Sequence, residues 1–260
     1  MIDAETIAFA HRLAEVAGET IRPYFRKNLA IDDKGATKGS IFDPVTEADR
    51  GAERAIRAVI ARERPDDGIL GEEFGETAGT SGYRWVLDPV DGTRAFINGR
   101  HEWGTLIALE KDMRPVLGLI DQPVIGERFL GVNGTASFNG APIGVRSCAK
   151  IEDAVLCCTH PYAYFEADER AGFRRVSGAV RMSRFGGDCY IFAMLAMGFC
   201  DVIVESSFHR WDVAALIPLI EGAGGVITDW AGGDPSAGGR CLASGDKRVH
   251  AQAVALLKGG

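Results

Sequence analysis

Trp85-Val86-Leu87-Asp88-Pro89-Val90-Asp91-Gly92-Thr93 is the stretch on which the reading of this chain turns. An apolar run of strand type ends in a carboxylate. Three residues on comes a second carboxylate, followed by Gly and Thr in position to open a helix. Pro89 has no N–H and a fixed φ, so regular strand pairing should end there and a turn is pre-set. Such a turn can aim the Asp88 carboxylate, the Val90 carbonyl and the Asp91 carboxylate at one point. Hard oxygen donors of this kind suit Mg²⁺, which keeps several waters and is held by a few carboxylates plus substrate phosphate. The Gly92 and Thr93 amides, at a helix start, suit a phosphate oxygen. The same residues also fit a plain Asx turn with a helix cap, and taken alone they do not separate the two readings.

Outward from this stretch the chain alternates in two ways. Upstream, Ile2, Phe9, Leu13, Val16 and Tyr24 recur at helical spacing, predicting a helix from Ile2 to Phe25. A polar loop, Asp32 to Ser40, leads to a second helix opened by Thr46-Glu47-Ala48-Asp49 and ending before Pro65. Downstream, Gly104–Glu110, Pro115–Ile120 and Arg128–Val132 have hairpin-like spacing and predict, with Arg84–Asp88, a largely antiparallel sheet. The second half instead alternates helix and strand: helices at Asp188–Phe199, Val213–Glu221 and Arg248–Leu257, strands at Asp201–Glu205 and Gly225–Trp230. The seam falls near Asn139 to Ala149, dividing the chain into an α+β lobe at residues 1–140 and an α/β lobe at 141–260.

The 260 residues suffice for one large domain or two intimate lobes. The net charge of −7 argues against a nucleic-acid footprint, which needs a basic face. The acidity is uneven: residues 1–130 hold 17 Lys+Arg against 23 Asp+Glu, and residues 131–260 hold 12 against 13. No apolar run is long enough to span a membrane. The first residues lack the basic start and apolar core of a signal peptide, so a cytoplasmic protein is expected. The six cysteines include no Cys-x-x-Cys pair and are expected to be buried thiols.

Three further acidic motifs follow apolar runs or open helices. In Asp43-Pro44-Val45-Thr46-Glu47-Ala48-Asp49 a capping box already accounts for Thr46 and Asp49. Gly68-Ile69-Leu70-Gly71-Glu72-Glu73-Phe74 ends in adjacent glutamates, of which only one can face a metal if the run is a strand; a solvated charged loop is the plainer reading. In His209-Arg210-Trp211-Asp212, Asp212 fits either a helix cap or a cation ligand. The chain carries no Walker A loop, no dinucleotide-binding glycine motif and no Gly-x-Ser-x-Gly elbow, and Thr105 stands where a zinc His-Glu-x-x-His motif needs histidine.

Taken together, Asp43-Pro-Val-Thr-Glu-Ala-Asp49, Gly71-Glu72-Glu73, Asp88-Pro-Val-Asp-Gly-Thr93 and Trp211-Asp212 resemble, in order and spacing, the inositol-monophosphatase superfamily of Mg²⁺-dependent, lithium-sensitive phosphatases. The likeness spans Asp43 to Asp229. Within it the chain is most similar to the bacterial histidinol-phosphatase branch, through Arg84–Ile97, Trp103–Leu109, Arg184-Phe-Gly-Gly-Asp-Cys-Tyr190 and Glu221–Trp230. One departure is Trp211, where many members of that branch have Tyr; His209-Arg210-Trp211-Asp212 looks closer to inositol monophosphatases.

The resemblance implies a layered α-β-α-β-α sandwich with the site between two lobes, a homodimer, and hydrolysis of a small phosphate ester with two or three Mg²⁺ ions. It implies Glu72, Asp88, Asp91 and Asp212 as metal ligands, with the Val90 carbonyl. Glu72 and Thr93 would orient the attacking water, Asp49 would support Thr93, and the Gly92 and Thr93 amides would hold phosphate. The substrate-facing set is Asp91, Gly92, Thr93, Arg94, Arg184, Asp188, Glu205 and Asp212. Arg94 and Arg184 are expected on the phosphate side. Histidinol phosphate adds an ammonium and an imidazole to its phosphate, whereas inositol phosphate adds only hydroxyls. Asp188 and Glu205 are therefore the carboxylates expected to meet the cationic end, with Asp188 the better marker; a helix cap is the alternative for Asp188.

Overall fold

The computed structural model describes residues 1–34 and 44–259. Asp43 and most of the predicted Asp32–Ser40 loop lie outside the described residues. In chain order the elements are α1 (Ala4–Ile21), β1 (Asp32–Asp33), β2 (Pro44–Val45), α2 (Glu47–Glu63), β3 (Gly68–Gly71), β4 (Gly75–Thr77), β5 (Tyr83–Asp91) and α3 (Thr93–Ile97). The hairpins β6 (Gly104–Lys111), β7 (Arg114–Gln122), β8 (Glu127–Val132), β9 (Thr135–Phe138) and β10 (Ala141–Pro142) follow. Then come β11 (Val155–Cys158), α4 (Pro161–Tyr164), α5 (Ala167–Ala179), β12 (Met182–Phe185), α6 (Tyr190–Ala196) and β13 (Val202–Phe208). The chain closes with α7 (Arg210–Val213), α8 (Leu216–Gly222), β14 (Val226–Thr228), β15 (Gly239–Ser244) and α9 (Lys247–Lys258).

Two sheets carry the architecture. The first has eight strands in the order β10-β9-β8-β7-β6-β5-β3-β4, antiparallel except for the β3–β5 pair. The second has five strands in the order β12-β11-β13-β15-β14, with β11 parallel to both its neighbours. Strand alternation sends Trp85, Leu87, Ile107 and Leu109 to one face of the large sheet, where they pack with Phe9, Leu13 and Ile56 of α1 and α2. The opposite face presents Val86, Leu106, Ala108 and Phe129 to Phe192 of α6, to Leu216 and Leu219 of α8, and through them to Ile203 and Ala243 of the small sheet. The far face of the small sheet, with Leu156, Val202, Val204 and Leu242, is closed by Phe173, Val176, Val249 and Ala253 of α5 and α9. The layers thus run α-β-α-β-α, as the resemblance implied. Helix α8 lies directly on the large sheet: a Cβ at Gly118 would sit 2.0 Å from the Ala215 carbonyl oxygen, and one at Gly131 2.2 Å from the Leu219 nitrogen. No helix among the described residues is long and apolar enough to cross a membrane.

Several elements differ from the sequence reading. The predicted helix Val213–Glu221 is two short helices, α7 and α8. Pro218 explains the break, because its ring would clash with the carbonyl four residues back, at Ala214, and it has no N–H to donate there. The predicted helix Asp188–Phe199 is confined to α6, since Gly187 and Asp188 both hold positive φ, 120° and 43°. Asp188 does not cap it; the capping position is Cys189. Strands β9, β10, β11, β12 and β15 and helix α5 were not expected from sequence pattern. The six cysteines are buried and free.

Candidate active site

The decisive strand does not stop at Pro89 but runs irregularly to Asp91. Asp88 pairs with Leu106 and Asp91 with Gly104, three steps on β5 against two on β6. This bulge has a chemical consequence. Residues three apart on a regular strand point to opposite faces; one extra residue reverses the parity, so Asp88 and Asp91 face the same cavity. Pro89 cannot join the ladder through nitrogen, and its carbonyl instead accepts from Thr105 Oγ1 at 2.8 Å. The Asp88 carboxylate accepts from the Val90 amide at 3.1 Å. Gly92 then turns the chain at φ 88° into α3, and a Cβ there would press on Asp188 at 3.0 Å and Trp103 at 3.1 Å.

Other elements bring their acids to this bulge. The fourth residue of the α7 capping box, Asp212, accepts from the His209 amide at 2.6 Å and aims its other oxygen at the cavity. One oxygen each of Asp88, Asp91 and Asp212 come within 4.8 Å of one another. Glu72 follows β3, held by its amide on the Leu87 carbonyl at 3.2 Å, and lines the same cavity. Asp91 also accepts from the Cys189 amide at 2.6 Å, tying the bulge to the start of α6. Behind the bulge, Thr93 Oγ1 lies 3.2 Å from Asp49 Oδ1 and 3.0 Å from the Val90 carbonyl. The α2 capping box is present as expected, with the Thr46 amide and hydroxyl on Asp49 Oδ2 at 2.9 and 2.6 Å.

Burial and like charge dominate the electrostatics. Burial, followed by the charges of Glu72 and the other acids, pushes the Asp88 carboxyl well above the ordinary carboxylate range. Asp212 is pushed up in the same way, by burial and then Asp91. Burial lifts Asp91 to about 6 despite its bonds from Cys189. In the same cavity, burial lifts Asp188 and Glu205 to about 8 each. Acids crowded this tightly repel unless protons or cations neutralise them. The convergent acids fit a small hard divalent cation: their carboxylate oxygens come together from β5 and α7, with no thiolate or imidazole among them.

The cavity measures about 700 Å³. Glu72, Asp88, Val90, Asp91, Gly92, Thr93, Arg94, Asp188, Glu205 and Asp212 all line it. Asp49 stands behind Thr93, buried. Arg184 is the exception. It is exposed on edge strand β12, and the Gly186-Gly187 turn separates it from the cavity that Asp188 reaches. Lys34 and Tyr164 also line the cavity and were not singled out from sequence. Lys34 pairs with Glu72 at 2.9 Å and Glu73 at 2.5 Å. Burial opposes its charge, but the two glutamates outweigh that and hold it above its ordinary range. Tyr164 lies under Arg94, whose guanidinium carbon is 4.8 Å from the ring centre. His209 stacks on Trp211 with ring centres 4.7 Å apart. Glu53, fully buried on α2, accepts from the Glu73 and Phe74 amides and so sets the turn after Glu72; a carboxylate among Ala52, Ile56 and Val59 was the available signal.

A layered fold with clustered acids in its central cleft defines the class of metal-dependent phosphomonoester hydrolases. The chain belongs to the inositol monophosphatase family, whose model matches residues 3–259. It is 42% identical to the bifunctional phosphatase IMPL2, chloroplastic, of Arabidopsis thaliana, over 96% of this chain and 74% of that one. It is 35% identical to a histidinol-phosphatase of Chlorobaculum parvum, over 98% of this chain and 97% of that one. The solved inositol monophosphatase of Zymomonas mobilis is similar with a TM-score of 0.88 and 44% identity, covering 99% of this chain and 100% of that one.

Proposed function

We propose that the protein is a Mg²⁺-dependent phosphatase that hydrolyses L-histidinol phosphate to L-histidinol and phosphate. The observation that carries this reading is the presence, in one cavity, of an acid cluster and two further carboxylates, half-buried Asp188 beside Gly92 and buried Glu205. A phosphate ester that also carries a cationic group matches both sets of acids. The similarity to a histidinol-phosphatase along nearly all of both chains supports it.

In this reading Glu72, Asp88, Asp91, Asp212 and the Val90 carbonyl hold two or three Mg²⁺ ions. When bound, such ions acidify a water and neutralise charge on the leaving oxygen. The residues do the rest. Glu72 and the Thr93 hydroxyl orient the attacking water, and Asp49 fixes the Thr93 rotamer. The Gly92 and Thr93 amides and Arg94 take the phosphate oxygens. Burial holds the Asp188 and Glu205 carboxyls above the ordinary range, and an ammonium or imidazolium beside them would favour their charged forms, exchanging burial cost for an ion pair. The reading extends to a cytoplasmic homodimer with lobes at residues 1–140 and 141–260.

A second reading, inositol-1-phosphate or a broad range of sugar phosphates, is favoured by Trp211 and by the likeness to the Zymomonas mobilis protein. Phosphate release from L-histidinol phosphate and from inositol-1-phosphate, measured with Mg²⁺ and with EDTA, separates them. A preference for the former of about a hundredfold, roughly 3 kcal/mol in transition-state binding, is expected; comparable rates favour the second reading. Asp188→Ala is expected to raise the KM for histidinol phosphate about tenfold or more and to spare a neutral ester. Equal losses on both substrates would remove Asp188 from substrate recognition.

A further inference from the structure

Beside the acid cluster, on the same face of β5 and β6, lies a second buried acid. Glu110 is fully buried and sits directly across from Arg84 in the β5–β6 register, as Leu106 sits across from Asp88. Its Oε2 accepts from Arg84 Nε and Nη2 at 2.9 and 2.7 Å. Its Oε1 accepts from Arg210 Nε at 2.7 Å. Arg210 is the first residue of α7, two residues before Asp212, and its Nη2 also donates to the Met113 carbonyl at 2.6 Å. Met113 belongs to a tight turn between β6 and β7 in which both Asp112 and Met113 have positive φ, 50° and 66°.

Helix α7 is four residues long, too short to hold its own orientation. Its capping box fixes Asp212 relative to His209, but not relative to the large sheet that carries Asp88 and Asp91. Val213 holds the apolar side of α7 against Val86 and Leu106 of that sheet, and the polar tie is Arg210, clamped by Glu110 on one nitrogen and by the β6–β7 turn on another. A planar guanidinium held at two points transmits orientation as well as attraction.

We infer that Glu110 is a positioning residue for the metal site: acting through Arg210, it fixes the distance from Asp212 to Asp88 and Asp91 and thereby sets the affinity for Mg²⁺. The carboxylate cluster supplies this poorly, since each proton its acids lose adds a like charge that pushes α7 away when no cation is bound. The inference rests on the reading of Asp212 as a metal ligand.

The experiment is calorimetric titration of the metal-free full chain with Mg²⁺, for the parent and for Glu110→Gln, Arg210→Met, Arg84→Met and Asp212→Asn. Glu110→Gln and Arg210→Met are expected to weaken binding about tenfold, as loss of a ligand's outer support does. The double variant is expected to be no weaker than either single one, because both break one path. Arg84→Met leaves the Glu110–Arg210 bond intact and is expected to stay within about twofold of the parent. At saturating Mg²⁺ the kcat of Glu110→Gln and Arg210→Met is expected to return to near the parent's, which a general loosening of the fold would not allow. Arg210→Met binding Mg²⁺ as tightly as the parent, or Arg84→Met losing as much as Arg210→Met, overturns the inference. Where Glu110→Gln does not fold, Arg210→Met decides by itself. A parent that binds no Mg²⁺, or Asp212→Asn that binds it as the parent does, removes the metal-ligand reading and the inference with it. Loss in Asp212→Asn with normal binding in Arg210→Met removes the inference alone.

Discussion

Two groups of acids, buried or half-buried, lie over one face of β5 and β6, and the fold treats them oppositely. At one end Glu110 is met by two arginines, each with most of its guanidinium out of water, and every oxygen is satisfied. At the other end Asp88, Asp91 and Asp212 converge, accepting from the Val90, Cys189 and His209 amides in turn, and among the described residues no guanidinium bonds to them. A buried carboxylate with its countercharge built in holds structure together. A buried group of carboxylates without one is costly to fold and is kept for a cation that arrives later. The contrast separates a brace from a site on physical grounds, without appeal to motif.

The largest effect should come from Asp88→Asn. The amide keeps the shape of the side chain but removes a charge that a divalent cation needs, so turnover is expected to fall at least about a thousandfold, on the order of 4 kcal/mol in the barrier. In EDTA the same variant is expected to be no less stable than the parent, because it relieves repulsion. Retained turnover, or a marked loss of metal-free stability, would erase the distinction between the two groups. Glu110→Ala is the mirror experiment. Removing one partner of a buried ion network strands the others, and a loss of about 3 kcal/mol in urea unfolding with EDTA present is expected. Opposite signs for the two carboxylates in the metal-free protein are the sharpest form of the contrast.

The pH dependence should divide the groups as well. The Asp91 carboxyl lies near 3.9 in the unfolded chain and is pushed up to about 6 in the folded one. Between those values the folded state holds the extra proton, so the stability of the metal-free protein falls as pH rises from about 4 to about 6. Burial and the neighbouring acids raise Asp88 and Asp212 as well, so both add to the fall. A loss of about 2 kcal/mol across this window is expected, smaller than the raw shifts suggest because Asp91 and Asp212 are only half-buried. Saturating Mg²⁺ should flatten the slope. Thermal unfolding from pH 4 to 8, with EDTA and with Mg²⁺, measures both; identical slopes would mean the acids do not share a cation.

The two groups differ just as much in how they show in sequence. Asp88 and Asp91 announce themselves because strand, proline and glycine lie side by side along the chain, and a local pattern reports a local turn. Even there Pro89 misleads: it ends regular pairing, but the strand continues through a bulge, and the bulge is what turns both acids the same way. Glu110 sends no such signal. It ends an apolar strand and is followed by Lys111, as a solvated strand end would be; its burial depends on Arg210, a hundred residues away. Arg184 fails for the reverse reason. It stands four residues before Asp188, yet two glycines at positive φ intervene, so proximity in sequence does not carry it into the cavity. Periodicity made α1, α2 and the β5–β8 hairpins legible, whereas the layered arrangement came from the family resemblance. Helix α5 and strands β11 and β12 were not, because parallel crossovers leave no turn signature to mark their ends.

The smallest effect tests whether a cap that looks purely structural reaches the site. Thr46 accepts from the Ala48 amide at 3.2 Å, which is an ordinary helix cap, and its hydroxyl also holds Asp49 Oδ2. The other oxygen of Asp49 is the one that meets Thr93. Thr46→Ala therefore removes a cap, at about 1 kcal/mol, and at the same time takes away one of the two bonds that hold Asp49 Oδ2, leaving the Thr46 amide at 2.9 Å. If the cap acts on stability alone, the unfolding midpoint shifts and kcat at saturating Mg²⁺ stays put. If Asp49 needs Thr46 to hold Thr93, kcat falls severalfold, and Thr46→Ser, which restores the hydroxyl, recovers it. The second outcome is expected, because the chain from Thr46 to Asp49 to Thr93 is buried at its first two members, leaving no water to take the lost partner's place. A kcat unchanged by Thr46→Ala would confine Asp49 to the helix terminus and leave Thr93 to be oriented by the Val90 carbonyl alone.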